Sequence, residues 1–526
     1  MSKKTSFPVI DIFAGPGGLS EGFSSYKIKD QSNPFHVGLS IECDKFAHET
    51  LLLRKFFKKL IQIGDASDYY RFLRKDISMD KLFELHKDEY EASKEEAWLA
   101  TLGKTPEDEI NRKINKTLGS ENNWVLIGGP PCKAYSVVGR SRNSGINPQD
   151  PNVRLYLEYL KILHGFCPSV FILENVRGLL SSKVNKINIF DEIVSQLECP
   201  EKTLKGLKEA SNGEPGKSHK YRIVSLVKEP NVDNLFFFPE YQPSDYLIHC
   251  EKYGIPQARP RVILMGIRDD IQGEPLLLKP RKEISVYEVL KDLPKLRSGL
   301  SKEVDNGEFW KSVLQEGKNM PWYNELKKMY PRVYREVVHT LKDLSCPDYD
   351  RGSEFISQKN KRKPDGHPFF KWVFDKKVSG VCNHSTRGHI AKDLFRYLFA
   401  SCYANVFEKS PKLKDFPINL LPEHRNIKQA LDGGLFSDRF RVQLQNKPST
   451  TVTSHISKDG HYFIHYDPSQ CRSLTVREAA RLQTFPDNYF FCGPRTSQYT
   501  QVGNAVPPLL ANQIAGIVFE LLNRQG

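Results

Sequence analysis

Close cysteine pairs are missing from this sequence. Its ten cysteines are scattered singly over 526 residues, with no C-x-x-C spacing. Zinc modules bring their thiols in close pairs, and small secreted domains carry a dense even framework. Neither is expected, so the thiols read as reduced and the compartment as cytoplasmic. Long apolar runs are also absent, and no bilayer-spanning segment or membrane partner is expected. No signal peptide is expected ahead of the first strand-like stretch. No internal repeat points to a solenoid or propeller. Acidic residues are in deficit, 63 Asp+Glu against 77 Lys+Arg, for a net charge of +14. The surplus suits a polyanion without identifying it. The length suggests two or three domains, and 39% hydrophobic residues can build a sizeable core.

Several short apolar runs end in turns, as in an α/β domain with a largely parallel sheet. Residues 7–13 read as a buried strand, and Gly-Pro-Gly-Gly18 turns the chain into a helix. A second strand, His36 to Ile41, ends at Glu42, and a third, Ile61–Ile63, at Gly64-Asp65. Residues 71–122 are rich in Lys and Glu and read as a helical surface insertion. Strands return at Trp124–Ile127, Val170–Leu173 and Arg261–Ile267. Residues 200–220 read as a loop, and 280–470 as a second, mixed domain. Val476–Pro486 and Gln501–Leu522 read as helical and return to the first domain.

The strand ends carry the chemistry. Phe13-Ala-Gly-Pro-Gly-Gly18 lets a ligand approach the backbone, although Gly15-x-Gly17-x-x-Ser20 lacks the last glycine of the dinucleotide fingerprint. Glu42 is placed to accept from ribose hydroxyls, and Asp65 from an adenine amino group. An adenosine-containing ligand fits, with NAD and S-adenosylmethionine both open. Gly129-Pro-Pro-Cys132 is a stiff loop holding a thiol, the most nucleophilic side chain once ionised. Glu174-Asn175-Val176 places a carboxyl on a buried strand end, costly without a role or partner. Gln257-x-Arg259-x-Arg261 points two arginines to one face, suited to phosphate or a pyrimidine oxygen.

Together these pieces resemble the cytosine-5 DNA methyltransferase family of the bacterial restriction-modification type. Its blocks occur here in order: Asp11-Ile-Phe-Ala-Gly-Pro-Gly-Gly18, Glu42, Asp65, Gly-Gly-Pro-Pro-Cys132, Glu174-Asn-Val176 and Gln257-Ala-Arg-Pro-Arg261. Then follow Leu474-Thr-Val-Arg-Glu-Ala-Ala-Arg-Leu-Gln-Thr-Phe-Pro-Asp487 and Gln501-Val-Gly-Asn-Ala-Val-Pro-Pro508. The likeness spans roughly 7–270 and 445–525, and the ordered set is far more specific than any one block.

The resemblance implies a Rossmann-like S-adenosylmethionine-dependent methyltransferase domain with a second, smaller mixed target-recognition domain. The expected division is a catalytic domain at 1–275 with its 71–122 insertion, target recognition at 280–470, and a returning segment at 471–526. It implies that the Cys132 thiolate adds to carbon 6 of cytosine while Glu174 engages ring nitrogen 3, so that carbon 5 takes the methyl group. Arg259 and Arg261 would steady the loop and the base. S-adenosyl-L-methionine contacts carry over to Phe13, Gly15, Gly17, Leu19, Glu42, Asp65, Pro130, Asn504 and Val506, and no metal is expected. The partner is double-stranded DNA with the target base turned out of the stack. A restriction endonuclease acting separately on the same site is a second expected associate, and a monomer the expected state. An RNA (tRNA) cytosine-5 methyltransferase, a catalytically dead DNA-binding protein and a nicotinamide oxidoreductase are the alternatives.

Two departures from the family pattern stand out: Lys133 and Tyr135 replace Gln and Phe after Cys132, and the 71–122 stretch is long. Lys133 could depress the thiol's pKa. Lys359-Asn-Lys-Arg-Lys363 suits phosphates or a solvated loop. Gly213-Glu-Pro-Gly-Lys-Ser218 mimics a phosphate loop but has Ser211 where a glycine is required. Cys382, His384 and His389 have no fourth close partner for a metal, and Asn383–His389 suits a DNA-reading loop or a surface turn.

Overall fold

The computed structural model describes residues 6–130, 151–184, 187–206, 219–229, 241–358, 368–423, 431 and 437–525. Cys132, Lys133, Tyr135, the 213–218 stretch and the Lys359–Lys363 run lie outside the described residues.

An eight-stranded sheet organises the first lobe. Its strands are β1 (Phe7–Ile12), β2 (Phe35–Glu42), β3 (Ala97–Leu99), β4 (Val125–Gly128), β5 (Val170–Val176), β6 (Tyr221–Val224), β7 (Leu247–His249) and β8 (Pro260–Arg268). Their order is β3-β2-β1-β4-β5-β8-β6, with β7 also pairing with β8. The first five run parallel, and β8 is antiparallel to β5, β6 and β7.

The helices that position the site are α1 (Gly18–Ser24), α2 (Lys45–Gln62), α3 (Glu107–Leu118), α4 (Pro151–Phe166), α5 (Ala391–Phe407), α6 (Val476–Leu482), α7 (Arg495–Asn504) and α8 (Pro508–Leu522). Side chains alternate along the apolar strands, as the pleat requires. Val9, Val125, Ile127, Ile172 and Ile263 face the core built by α1 and α8. Ile10, Ile12, Leu126, Phe171 and Leu264 face the core built by α3 and α4. α1 and α8 touch through glycine: a Cβ on Gly22 would lie 2.3 Å from the Cβ of Ala511.

The expected third strand at Ile61–Ile63 is instead the end of α2. Asp44 caps that helix by accepting from the Ala47 amide at 2.8 Å. Leu53, Phe56, Phe57 and Leu60 then recur at helical spacing and bury against Tyr69, Phe72 and Leu82. The strand beside β2 is β3, paired from Ser40↔Ala97 to Glu42↔Leu99. It lies inside the stretch expected to be a helical surface insertion. Helices Met79–Leu85 and Lys87–Glu96 do occur there, but α3 buries Ile110, Ile114 and Leu118 in the second core. That span therefore builds part of the sheet's own layer.

A second lobe packs Trp310, Leu314, Trp322, Val337, Leu398 and Tyr403 around α5. The 280–470 span also feeds the first lobe, for Phe369, Phe370, Val373, Val452 and Phe463 belong to its core. Buried ion pairs pin the returning segment: Arg472 with Glu478, and Arg481 with Asp292 and Asp487. A helix occupies Pro200–Gly206, where a loop was expected. The expected helix over Gln501–Leu522 is two, because Pro507 and Pro508 interrupt the hydrogen-bond ladder. Taken as one stretch, Arg495–Gln525 has the length and composition of a membrane span, but 78% of its apolar window is buried inside the molecule, as in a core helix.

Candidate active site at the carboxyl edge of the sheet

The strand register aligns the site. Ile41, Ile12, Gly128 and Leu173 form one row across β2, β1, β4 and β5. The next residues, Glu42, Phe13, Gly129 and Glu174, therefore lie at one level, β1, β2 and β4 stopping there while β5 runs on beside β8. Three strand spacings put about 14 Å of backbone between Glu42 and Glu174.

Beyond β1 the chain makes a tight turn with positive φ at Phe13 (57°), Gly15 (57°) and Gly17 (94°). A Cβ on Gly15 would meet nothing within 4 Å, so open space lies over the turn. The Glu42 carboxylate clamps it: Oε2 accepts from the Gly15 amide at 2.6 Å, and Oε1 from the Cys43 and Asp44 amides at 2.8 and 2.7 Å. Leu19 is buried beneath the turn, and Val506 lies against Gly18, whose added Cβ would come within 2.3 Å of the Val506 carbonyl oxygen. Asn504 is exposed between buried Gly503 and Ala505.

Asp65 is not at this edge. It follows the far end of α2, about 27 Å along an 18-residue helix. There it is exposed and accepts from the Ser67 hydroxyl at 2.9 Å. Its assignment to the cofactor rested on the strand that proved to be helix.

Glu174 faces the loop after β4. A Cβ on Gly129 would lie 3.1 Å from Glu174 Oε2, and Asn175 Nδ2 donates to the Pro130 carbonyl at 3.4 Å. Arg261 Nε stands 2.8 Å from Glu174 Oε1 but is not aligned as a hydrogen bond, so the contact is an ion pair. Arg259 points elsewhere. Its guanidinium donates to the Val452 carbonyl at 2.6 Å, to Gly503 at 3.1 Å and to Ala505 at 3.0 Å. Burial, and then the charge of Arg261, push its pKa down to about 9. Arg259 thus holds the segment carrying Asn504 and Val506 and does not reach the Glu174 carboxylate in the described contacts.

Three supports have no role in the sequence reading, although Asp11 and Gln483 lie inside the family blocks. Tyr489 donates its hydroxyl to the Pro16 carbonyl. Gln483 Nε2 donates to the Val502 and Ala505 carbonyls at 2.7 and 3.2 Å. Asp11, fully buried, accepts from the Ser20 hydroxyl, while its Oδ1 has no hydrogen-bond partner. Desolvation pushes the Asp11 pKa up to about 7. A polar residue inside an apolar strand was the available signal for Asp11, and membership of the Leu474–Asp487 block that for Gln483; nothing local marks Tyr489.

The remaining motifs have structural uses. Cys382 is buried in a hydrophobic cluster, and burial pushes its thiol up to about 12. His384 binds Thr475 Oγ1 at 2.8 Å and the Pro294 carbonyl at 3.0 Å. Asn383 exchanges hydrogen bonds with the backbone of Phe491. Gly380–Ser385 pairs with Gly352–Ser357, so its polar side chains are largely inside rather than on a reading loop.

A glycine turn and an acidic strand end on one side, and an arginine-paired glutamate on the other, define a Rossmann-like methyltransferase edge. The chain belongs to the C-5 cytosine-specific DNA methylase family, whose profile matches residues 85–199 and 233–520, and it is by class a DNA (cytosine-5-)-methyltransferase. It is 30% identical to the type II methyltransferase M.Bpa9945I of Bacillus paralicheniformis, over 98% of this chain and 99% of that one. It is 24% identical to the DNA (cytosine-5-)-methyltransferase M.ApeKI of Aeropyrum pernix, over 76% and 81%. The fold matches the crystal structure of an E. coli prophage-encoded protein described as a DNA modification methyltransferase, with TM-score 0.50, 17% identity and coverage of 98% and 100%.

Proposed function

We propose that the chain methylates carbon 5 of a cytosine turned out of double-stranded DNA, using S-adenosyl-L-methionine and a covalent adduct with Cys132. The donor set fits the cofactor. A carboxylate offers about four acceptor sites, and the three amides on Glu42 leave one on Oε2 for a ribose hydroxyl. The open space over Gly15 fits a ligand lying across the turn. Phe13, Gly15, Gly17 and Leu19 would hold it through the turn, with Glu42, Pro130, Asn504 and Val506 around it. When bound, the cofactor supplies an electrophilic methyl group on a sulfonium.

The Cys132 thiolate adds to carbon 6 of the base, and Glu174 donates a hydrogen bond or a proton to ring nitrogen 3, so electron density moves to carbon 5. After methyl transfer, loss of the carbon 5 proton and of the thiolate restores the ring. Arg261 orients Glu174, and Arg259 positions the segment of Asn504. Residues 280–470 would read the DNA sequence. The enzyme would act as a monomer in the cytoplasm, as the modification half of a type II system whose endonuclease acts separately on the same site.

One observation carries the reading: Glu174 pairs with Arg261 and abuts Gly129, three residues before the position of Cys132 and level with the open glycine turn. Labelled cofactor is offered to bacterial DNA and to tRNA, and bisulfite sequencing locates the methylated word. That word, made with 5-fluorocytosine, should trap a denaturation-resistant adduct that Cys132→Ala loses. Label confined to tRNA, or an active enzyme that forms no adduct, would refute the proposal.

A further inference from the structure

The glycine turn is held from beneath by a residue 473 positions further along the chain. Pro16 stands between Gly15 and Gly17, whose φ angles are 57° and 94°. Glycine takes either sign of φ at little cost, so Gly17 by itself gives the Pro16–Gly17 peptide plane no fixed orientation. Two hydrogen bonds fix it. The Gly17 amide donates to the Ala14 carbonyl at 2.9 Å, a bond within the turn. The Pro16 carbonyl accepts from the Tyr489 hydroxyl, which comes from outside it. A Cβ on Gly17 would lie 3.1 Å from that hydroxyl oxygen and 2.9 Å from Leu51 Cδ1. The missing side chain at 17 thus leaves the hydroxyl its place against the turn.

Tyr489 is itself held. It is buried, and desolvation, then the Glu21 charge, raises its pKa well above the ordinary value. The hydroxyl therefore keeps its proton and donates. The Arg54 guanidinium of α2 lies 4.7 Å from the Tyr489 ring centre. That guanidinium donates to both Glu21 oxygens on α1, at 2.7 and 2.8 Å, and to Asn488 Oδ1 at 2.9 Å. Asn488 is tied in turn: its Nδ2 donates to Asp375 Oδ2 at 2.7 Å, and its carbonyl accepts from the Tyr69 hydroxyl at 2.8 Å. Planar, forked donors of this kind fix orientation as well as charge.

We propose that Tyr489 is a positioning residue for the methyl donor. Its hydroxyl keeps the Pro16 carbonyl turned into the protein, so the turn stays in the form that leaves open space over Gly15. Arg54 keeps the ring in place by tying it to α1 and to Asn488. The proposal rests on the reading of the glycine turn as the cofactor site. Tyr489 acts through the turn and not on the reacting atoms.

The affinity for S-adenosylhomocysteine is measured by calorimetric titration for the wild type, Tyr489→Phe and Tyr69→Phe, together with KM and kcat for the cofactor at saturating DNA. Tyr489→Phe keeps the ring beside Arg54 and removes only the donor. One such hydrogen bond is worth about three- to tenfold in binding. The dissociation constant and the cofactor KM should rise by that factor, with kcat within about twofold of the wild type. Tyr69→Phe removes a buried hydroxyl of the same cluster, bonded to Asn488 and not to the turn. It should keep wild-type cofactor affinity even where its melting temperature falls as far as that of Tyr489→Phe. Wild-type affinity in Tyr489→Phe, or equal losses of affinity in both variants, would overturn the positioning role. A wild type that does not bind S-adenosylhomocysteine would overturn the cofactor reading itself.

Discussion

Replacing Gly22 by alanine separates α8 from α1 at their closest approach. The added Cβ would lie 2.3 Å from the Ala511 Cβ and 2.6 Å from both the Ala511 carbonyl carbon and the Asn512 nitrogen. Two of these three are backbone atoms of a buried helix and cannot swing aside. Better helix propensity returns about 1 kcal/mol, whereas overpacking costs about 1–3 kcal/mol and more when backbone must move. A net loss near 2 kcal/mol is expected if the cost falls at the upper end. Relief by shifting α8 would draw Val506 from Gly18 and move Asn504. Cofactor affinity should then fall too, by at most about thirtyfold if the whole of that loss of about 2 kcal/mol were expressed in the binding segment, since 1.4 kcal/mol is tenfold. Thermal unfolding and calorimetric titration with S-adenosylhomocysteine read the two effects. Gly165→Ala is the control, because its Cβ would meet nothing within 4 Å. An unshifted melting temperature would refute the packing argument. A destabilised Gly22→Ala protein with wild-type cofactor affinity would refute the coupling.

Asp11→Asn should change how stability depends on pH. The folded pKa near 7 lies above the ordinary 3.8, so the protonated carboxyl favours folding. That stability is fully present below about pH 4 and is lost as pH rises through about 7. The variant's melting temperature should gain on the wild type across this window, and parallel curves would exclude the effect. Arg259→Lys keeps a charge but loses the fork to Gly503 and Ala505. Ala505 keeps its Gln483 donor, but weakened hold on the Gly503 and Val452 carbonyls costs about 1–3 kcal/mol each, so KM for the cofactor should rise about tenfold with a smaller change in kcat. A fall in kcat at constant KM would assign Arg259 to the reacting base instead.

Strands buried on both faces were legible because they read as short continuous apolar runs bounded by turn residues, the pattern of a covered sheet. Hence β1, β4, β5 and β8, and with them the level of Phe13, Gly129 and Glu174, follow from local pattern. The third strand was misread because Leu-Ile-Gln-Ile is apolar yet closes an amphipathic helix whose partners, Tyr69 and Leu82, lie further along. β3 was missed because Ala-Trp-Leu gives only three residues inside a Lys/Glu-rich run. The two arginines of one motif also divided their work. Alternation puts them on one face, but only tertiary structure shows Arg261 beside Glu174 and Arg259 among carbonyls from 452 to 505. Both lobes draw residues from the 280–470 span, which no composition shift could mark.

The docking of α8 on α1 joins residues 490 positions apart, as when Asn512 donates to the Gly22 carbonyl. During synthesis the glycine turn leaves the ribosome early and must wait, uncovered, while nearly all of the chain is made. Closing so long a loop delays the final assembly step. An unfinished polypeptide would therefore carry the glycine turn without the helix that packs against α1, and the proposed donor site would be complete only once translation has delivered α8.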